Sequence, residues 1–171
     1  MPIDTVYTGY TESMKKVTKV RDFHAGSDVI KAKGETYLPK LGGQTVADYD
    51  AYKMRGYLVP ALSPAAASIR GSIMRKPPMF DPVGAEYLID NFTGTGVGVN
   101  EFTGDMITEL LLAGGAGYLV EFDEMPFAKM YTRENIINVG ADFVVLAQTY
   151  TQPDKDDKYV QNELTEYLEL T

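Results

Sequence analysis

The sequence contains no cysteine and no tryptophan, and only one histidine, His24. Without cysteine there is neither a disulfide framework nor a thiolate metal site. With a single histidine as well, nearly all zinc chemistry is excluded, because zinc sites lean on Cys and His. No apolar run approaches the ~20 residues needed to span a bilayer, so no membrane association is expected. Residues 1–10 lack the basic and apolar regions of a signal peptide. The nucleophile-elbow pattern G-x-S-x-G is missing too. A chain of 171 residues suits one domain, or one domain with an appendage, and can bury a core without covalent staples.

Charge is present but unevenly placed. Residues 1–80 hold 12 Lys/Arg and 7 Asp/Glu, a net of +5. Residues 81–171 hold 4 Lys/Arg and 17 Asp/Glu, a net of −13. The chain is therefore bipolar. Its acidic half repels a nucleic-acid backbone over about a Debye length, which argues against wrapping nucleic acid on the whole surface.

Hydrophobic spacing and punctuation predict helices first. Met14, Val17 and Val20 mark a helix over 12–24, capped by Thr11 or Ser13 and closed by Gly26. Ser27 is expected to cap a shorter helix to Lys33, stopped by Gly34. Tyr37-Leu38-Pro39 reads as extended, and Gly42-Gly43 as a turn. Thr45, with Asp48 three residues on, resembles a capping box for a helix to about Val59. A slim, alanine-rich helix follows from Ser63 or Pro64 to Met74, ended by Pro77-Pro78.

After Asp81 the texture changes. A short helix over 83–91 precedes the glycine-rich loop of residues 93–100. Asn100 is expected to cap an apolar helix to Ala113, terminated by Gly114-Gly115. Strands are predicted over 116–122 and 127–132, with a helical turn or short helix in Arg133–Val139. Two long strands, 142–151 and 158–170, form a hairpin about a polar turn near Asp154–Asp157. The sum is an α+β protein, with a helical segment over 1–80 and an α+β segment over 81–171 packed with it as one domain.

Candidate chemistry is thin. The loop Gly94-Thr95-Gly96-Val97-Gly98 precedes a helix, where a phosphate cradle would sit. It lacks the Lys-Ser/Thr of a P-loop, and Glu101 would repel phosphate, so it reads as a connector. His24, near a helix end, reads as a structural residue. Glu121, Asp123 and Glu124, and likewise Asp154, Asp156 and Asp157, could serve a carboxylate-based hydrolase or a hard cation. As solvated turns they need neither. No catalytic residue, cofactor or metal is expected.

The residues left over suit contact rather than reaction. Tyr49, Tyr52 and Tyr57 lie close to Arg55, and Tyr and Arg are enriched at interfaces. Arg70, Arg75 and Lys76 form a basic knot before two prolines, open either to solvent or to an intersubunit or DNA contact. Tyr49, Tyr52, Arg55, Arg70, Arg75 and Lys76 are the candidate interface residues.

Four strings, in order, carry a resemblance. They are "YLPKL" from Tyr37 with Tyr49, Tyr52 and Arg55; "SIRGSIMRKPP" from Ser68; "LLLAGGAGYLVEF" from Leu110; and "YTRENIINV" from Tyr131. Together they resemble a family of portal-like proteins of tailed bacteriophages, from about residue 20 to the end. The resemblance implies a wing-type region of a portal, with stem, clip and crown lying outside this chain. It further implies a homo-oligomeric ring, typically of twelve subunits, at one capsid vertex. Such a ring docks the terminase large subunit and the capsid and head–tail connector proteins. It passes double-stranded DNA without reading its sequence and performs no reaction. The implied location is the virion, and the host cytoplasm during assembly. A head–tail adaptor or other capsid-associated protein is the nearest alternative, and a carboxylate-based hydrolase a more distant one.

Overall fold

The computed structural model describes residues 2–155, 157 and 159–171. The fold is α+β, with helices leading into two antiparallel sheets. Helix α1 spans Tyr10–Ala25, two residues earlier than its spacing predicted. Neither Thr11 nor Ser13 caps it. Gly9 does so in the left-handed region at φ 90°, its carbonyl accepting the Ser13 amide at 3.0 Å. The Tyr10 hydroxyl donates to the Glu134 carbonyl at 2.6 Å, which holds the extra turn in place.

Helix α2 covers Ser27–Ala32, with Gly26 before it. Ser27 is thus inside the helix rather than its cap, and its Oγ accepts the Leu58 amide at 3.2 Å. Gly34 opens a 3-10 turn, Gly34–Thr36, instead of ending the helical run. Tyr37 is consequently not extended; it has helical φ and ψ, and the Leu38 amide reaches back to the Gly34 carbonyl at 2.8 Å.

Helix α3, Val46–Arg55, has the expected capping box. Thr45 Oγ1 accepts the Asp48 amide and Asp48 Oδ2 accepts the Thr45 amide, both at 3.2 Å. The helix stops at Arg55, four residues short of the predicted Val59. The Gly56 amide closes on the carbonyls of Tyr52 and Lys53, and the chain leaves extended. Helix α4, Leu62–Ile73, starts before Ser63. Pro64 is its third residue, where an amide has no intrahelical partner in any case.

The segment expected as a helix over 83–91 is only a 3-10 turn, Glu86–Ile89. Gly84, at φ 81°, prevents an earlier start. Helix α5 runs Val99–Ala113 with Gly98, not Asn100, as its N-cap and left-handed Gly114 at its end.

Strands β1 (Ala116–Phe122) and β2 (Pro126–Thr132) form one hairpin. A 3-10 turn over Arg133–Asn135 leads into β3, Ile136–Val139. That strand replaces the second part of the expected short helix, since β-branched Ile136 and Ile137 favour a pleated surface. It pairs with β4, Val144–Pro153, through an irregularity between Ile136 and Asn138. Strand β5, Gln161–Leu170, pairs with β4 along all ten residues, from Val144↔Leu170 to Pro153↔Gln161. Asp156 and Lys158, which the sequence places in the turn and at the start of the last strand, lie outside the described residues.

The core is small. Val17, Phe102, Leu112, Tyr131, Ile137 and Leu146 are among its members. Val145 and Leu146 are adjacent yet both buried, so the start of β4 is covered on both faces. The helical and sheet layers are joined by Arg21. Its guanidinium donates to Glu109 of α5 at 2.6 and 3.2 Å and to both carboxylate oxygens of Glu134. Donation from Arg21 holds the Glu134 carboxyl below its ordinary range. Nearby, buried Asp22 accepts Lys33 Nζ at 2.6 and 2.7 Å and the Tyr37 hydroxyl at 2.5 Å. These donors lower the Asp22 carboxyl, Lys33 foremost, and Asp22 pushes the Tyr37 hydroxyl up to about 12.

Removing Arg21 leaves two half-buried carboxylates facing each other. Arg21→Met is therefore expected to destabilise the fold by about 1–3 kcal/mol in urea denaturation at neutral pH. Both Glu134 and Asp22 have folded values below their unfolded ones. Their stabilisation is complete above the unfolded carboxyl values of about 4 and disappears as pH falls through the lower folded values. Stability measured from pH 6 downward should fall most steeply below about 4, and Glu134→Gln should flatten that fall.

Candidate assembly surface

The six candidate interface residues divide into engaged and exposed groups. Tyr49 is buried at 8% exposure. Its hydroxyl donates to the Leu38 carbonyl at 2.9 Å, and Lys53 Nζ stands 4.9 Å from its ring centroid. Tyr52 is half-buried beside it, with ring centroids 6.2 Å apart. Both serve the packing of α3 on the 34–38 turn. Gly34 suits this place, with φ at 50° and so little room that a Cβ would stand 3.3 Å from the Tyr49 hydroxyl. Arg55 is exposed, its Nε donating to the Ala51 carbonyl at 3.2 Å. Tyr57 lies beyond the helix end and is 79% exposed, next to exposed Met54 and Val59.

The basic knot is likewise split. Arg70 turns inward and clasps α4 to α5, pairing with Asp105 at 3.2 Å and reaching Thr108 Oγ1 at 3.4 Å. Gly104 makes room for it, since a Cβ there would lie 2.5 Å from the guanidinium. Arg75 and Lys76 instead stand exposed past the end of α4, and neither has a carboxylate partner among the described residues. Met79, just beyond Pro77-Pro78, is 100% exposed. Phe80 folds back, its ring edge-on to Phe92 at 5.7 Å.

The glycine-rich loop is closed on itself. The amides of Phe92 and Thr93 bond to the Val97 carbonyl, and the Gly96 amide to Asn91 Oδ1 at 2.7 Å. Gly94 and Gly96 have φ of 74° and 88°. At Gly98 a Cβ would meet the Ile89 carbonyl at 2.7 Å. These glycines serve a tight turn, and the Gly96 amide that could face an anion is already occupied. His24 is half-buried, its carbonyl accepting the Ser63 hydroxyl at 2.9 Å.

Glu121 is separated from Asp123 and Glu124 in role. It accepts the Tyr131 hydroxyl at 3.1 Å with Lys129 at 4.0 Å, while Asp123 and Glu124 are exposed on the β1–β2 turn. Burial, and then the bond to Glu121, push the Tyr131 hydroxyl up to about 12. Among the described residues no group of three or more His, Cys, Asp or Glu could hold a metal ion. None of the described helices is long and apolar enough to cross a membrane.

The surface itself is unusual in extent. It measures 11732 Å², whereas a compact monomer of this mass exposes about 8,300 Å². Every residue of β5 from Gln161 to Glu169 is exposed, and its outer edge has no partner strand among the described residues. Arg21 and its two carboxylates were not singled out in the sequence. The signal available was a cation four residues after Val17, on the apolar stripe of α1. No protein-family model matches the chain, and no curated protein is significantly similar to it in sequence.

Engaged and exposed tyrosines should respond differently. Tyr49→Phe is expected to cost about 1 kcal/mol in chemical denaturation through loss of the bond to Leu38. Tyr57→Ser should leave the denaturation midpoint within about 0.5 kcal/mol of the parent.

Proposed function

We propose that this chain is the wing-type part of a portal-like ring subunit in a tailed-phage head. The ring sits at the DNA-packaging vertex, passes double-stranded DNA, and offers docking surfaces to terminase, capsid and connector proteins. The observation that carries this reading is the excess surface. Relative to a compact monomer, roughly 3,000 Å² more is left open, whereas one standard interface takes about 800 Å² from each partner. A subunit flanked by two neighbours would cover about 1,600 Å² of it at that size, and larger contacts more. The exposed apolar residues Met54, Tyr57, Val59 and Met79 and the open β5 edge point the same way.

The ordered strings that resemble those of portal-like proteins support this particular assembly. The acidic second half suits passing DNA without gripping it, because its charge opposes that of the phosphate backbone. No reaction is assigned to the ring. Among the described carboxylates, Glu121 accepts the Tyr131 hydroxyl, Asp154 accepts Asn162 Nδ2, and Asp123 and Glu124 are exposed on the β1–β2 turn.

Native mass spectrometry and electron microscopy of the purified protein test this directly. Closed rings that bind the terminase large subunit are expected. A chain that stays monomeric at high concentration overturns the ring, and rings that bind tail components but no terminase favour an adaptor. Nucleotide and glycoside hydrolysis should stay at buffer level. Turnover abolished by Glu121→Ala or Asp123→Ala would replace this reading with an enzymatic one.

A further inference from the structure

The β1–β2 hairpin has two faces with different neighbours. Its register puts Tyr118, Val120 and Phe122 on one face, and Leu119 and Glu121 on the other with their partners Lys129 and Phe127. On the first face, the Tyr118 ring meets Phe102 at 6.3 Å, Phe102 meets Phe92 at 4.9 Å, and Phe92 meets Phe80. The segment after α4 is thereby tethered to this side. On the second face, Glu121 and Lys129 join Leu146, Gln148, Glu166 and Leu168 around a cleft of about 470 Å³. Lys129 is spent on Gln148 and Glu121. Glu166 is exposed and has no hydrogen-bond partner among the described residues. Leu168 supplies exposed apolar surface at this cleft, and Phe122, from the hairpin's other face, also lines it.

We propose that this cleft receives residues 75–79 of a second copy of the chain, an inference that rests on the ring reading and specifies its contact. The segment offers two unpaired cations, Arg75 and Lys76, then two prolines, then a fully exposed methionine. The cleft offers the complement, with Glu166 in a mostly polar lining that also carries the apolar side chains of Phe122, Leu146 and Leu168. Pro77-Pro78 pre-orders the segment, so little freedom is lost on docking. Met79 is flexible enough to fill an irregular apolar site. Within one chain Met79 is fully exposed and Phe80 is held against Phe92, so the segment does not occupy its own chain's cleft.

The charge of β5 sets the symmetry of the contact. Strand β5 carries Glu163, Glu166 and Glu169 and no cation. Two copies paired antiparallel edge to edge about Glu166 would set glutamate against glutamate at all three positions, which is destabilising. A cationic segment from a different part of the neighbour avoids that conflict. Such a head-to-tail contact uses two unlike patches and can close into a ring.

The absence of native cysteine makes the contact directly testable. Met79→Cys in one chain, mixed with Leu168→Cys in another under oxidation, is expected to give a covalent dimer. A Val59→Cys chain mixed with Leu168→Cys should not. In sedimentation, Arg75→Glu and Glu166→Arg should each weaken self-association about tenfold or more, and their combination should restore it. Lys16→Glu, which changes net charge equally at an exposed site on α1, should have little effect. Closed oligomers with no preferential Met79–Leu168 cross-link and no charge-swap rescue would overturn this contact and leave the ring reading standing. A chain that neither cross-links nor associates at any concentration would overturn both.

Discussion

The fold depends on one guanidinium. Arg21 stands where α1, α5 and the corner between β2 and β3 converge, and it satisfies Glu109 and Glu134 together. Neither carboxylate could be half-buried at that junction without a cation, because an unpaired charge there costs more than the pairing returns. Arginine suits the position because its planar fork serves two acceptors at once. Around it the N-terminal residues are sewn to the same corner. The Tyr7 amide donates to the Ile137 carbonyl, Asn138 Nδ2 donates to the Thr5 carbonyl, and Arg133 bonds the Tyr7 hydroxyl. Gly115 is left bare beside them, where a Cβ would lie 2.9 Å from the Arg133 side chain. The N-terminal residues are thus fixed to residues 133–138, more than a hundred positions along the chain.

What local chemistry decides was legible in the sequence. The Thr45–Asp48 box, the stop at Gly114, the β1–β2 hairpin and the long final hairpin all follow from short-range rules. Several misses occur where a remote partner decides. Tyr10 is helical because its hydroxyl finds Glu134, more than a hundred residues away. Residues 136–139 are a strand because β4 is beside them. Val59 is instead a local miss, outside α3 because Gly56 closes the helix.

The same division holds for the candidate interface residues. Exposure of Arg75 and Lys76 could be read from the two prolines after them. The inward turn of Arg70 could not, since it needs the bare Gly104 and the acid Asp105 on another helix. Tyr49 and Tyr57 look alike in the sequence, yet one lies on the helix face toward Leu38 and the other past its end. Chemical type marked these residues as candidates, and only packing separated the interior ones from the exposed ones.

The last hairpin has a mechanical consequence. Its two strands are paired over ten residues, about 34 Å, and Leu170 sits opposite Val144, where β4 leaves the body. A pull on Thr171 away from the body therefore loads the Val144↔Leu170 rung first and then each rung in turn. The hairpin would open like a zipper, at low force and by small steps. A pull along the strand axis at the Asp154 end instead meets the covalent chain and all ten rungs together. The protein is stiff to tension along this arm and compliant to peeling at its base, so the direction of a load decides whether the arm transmits it or yields.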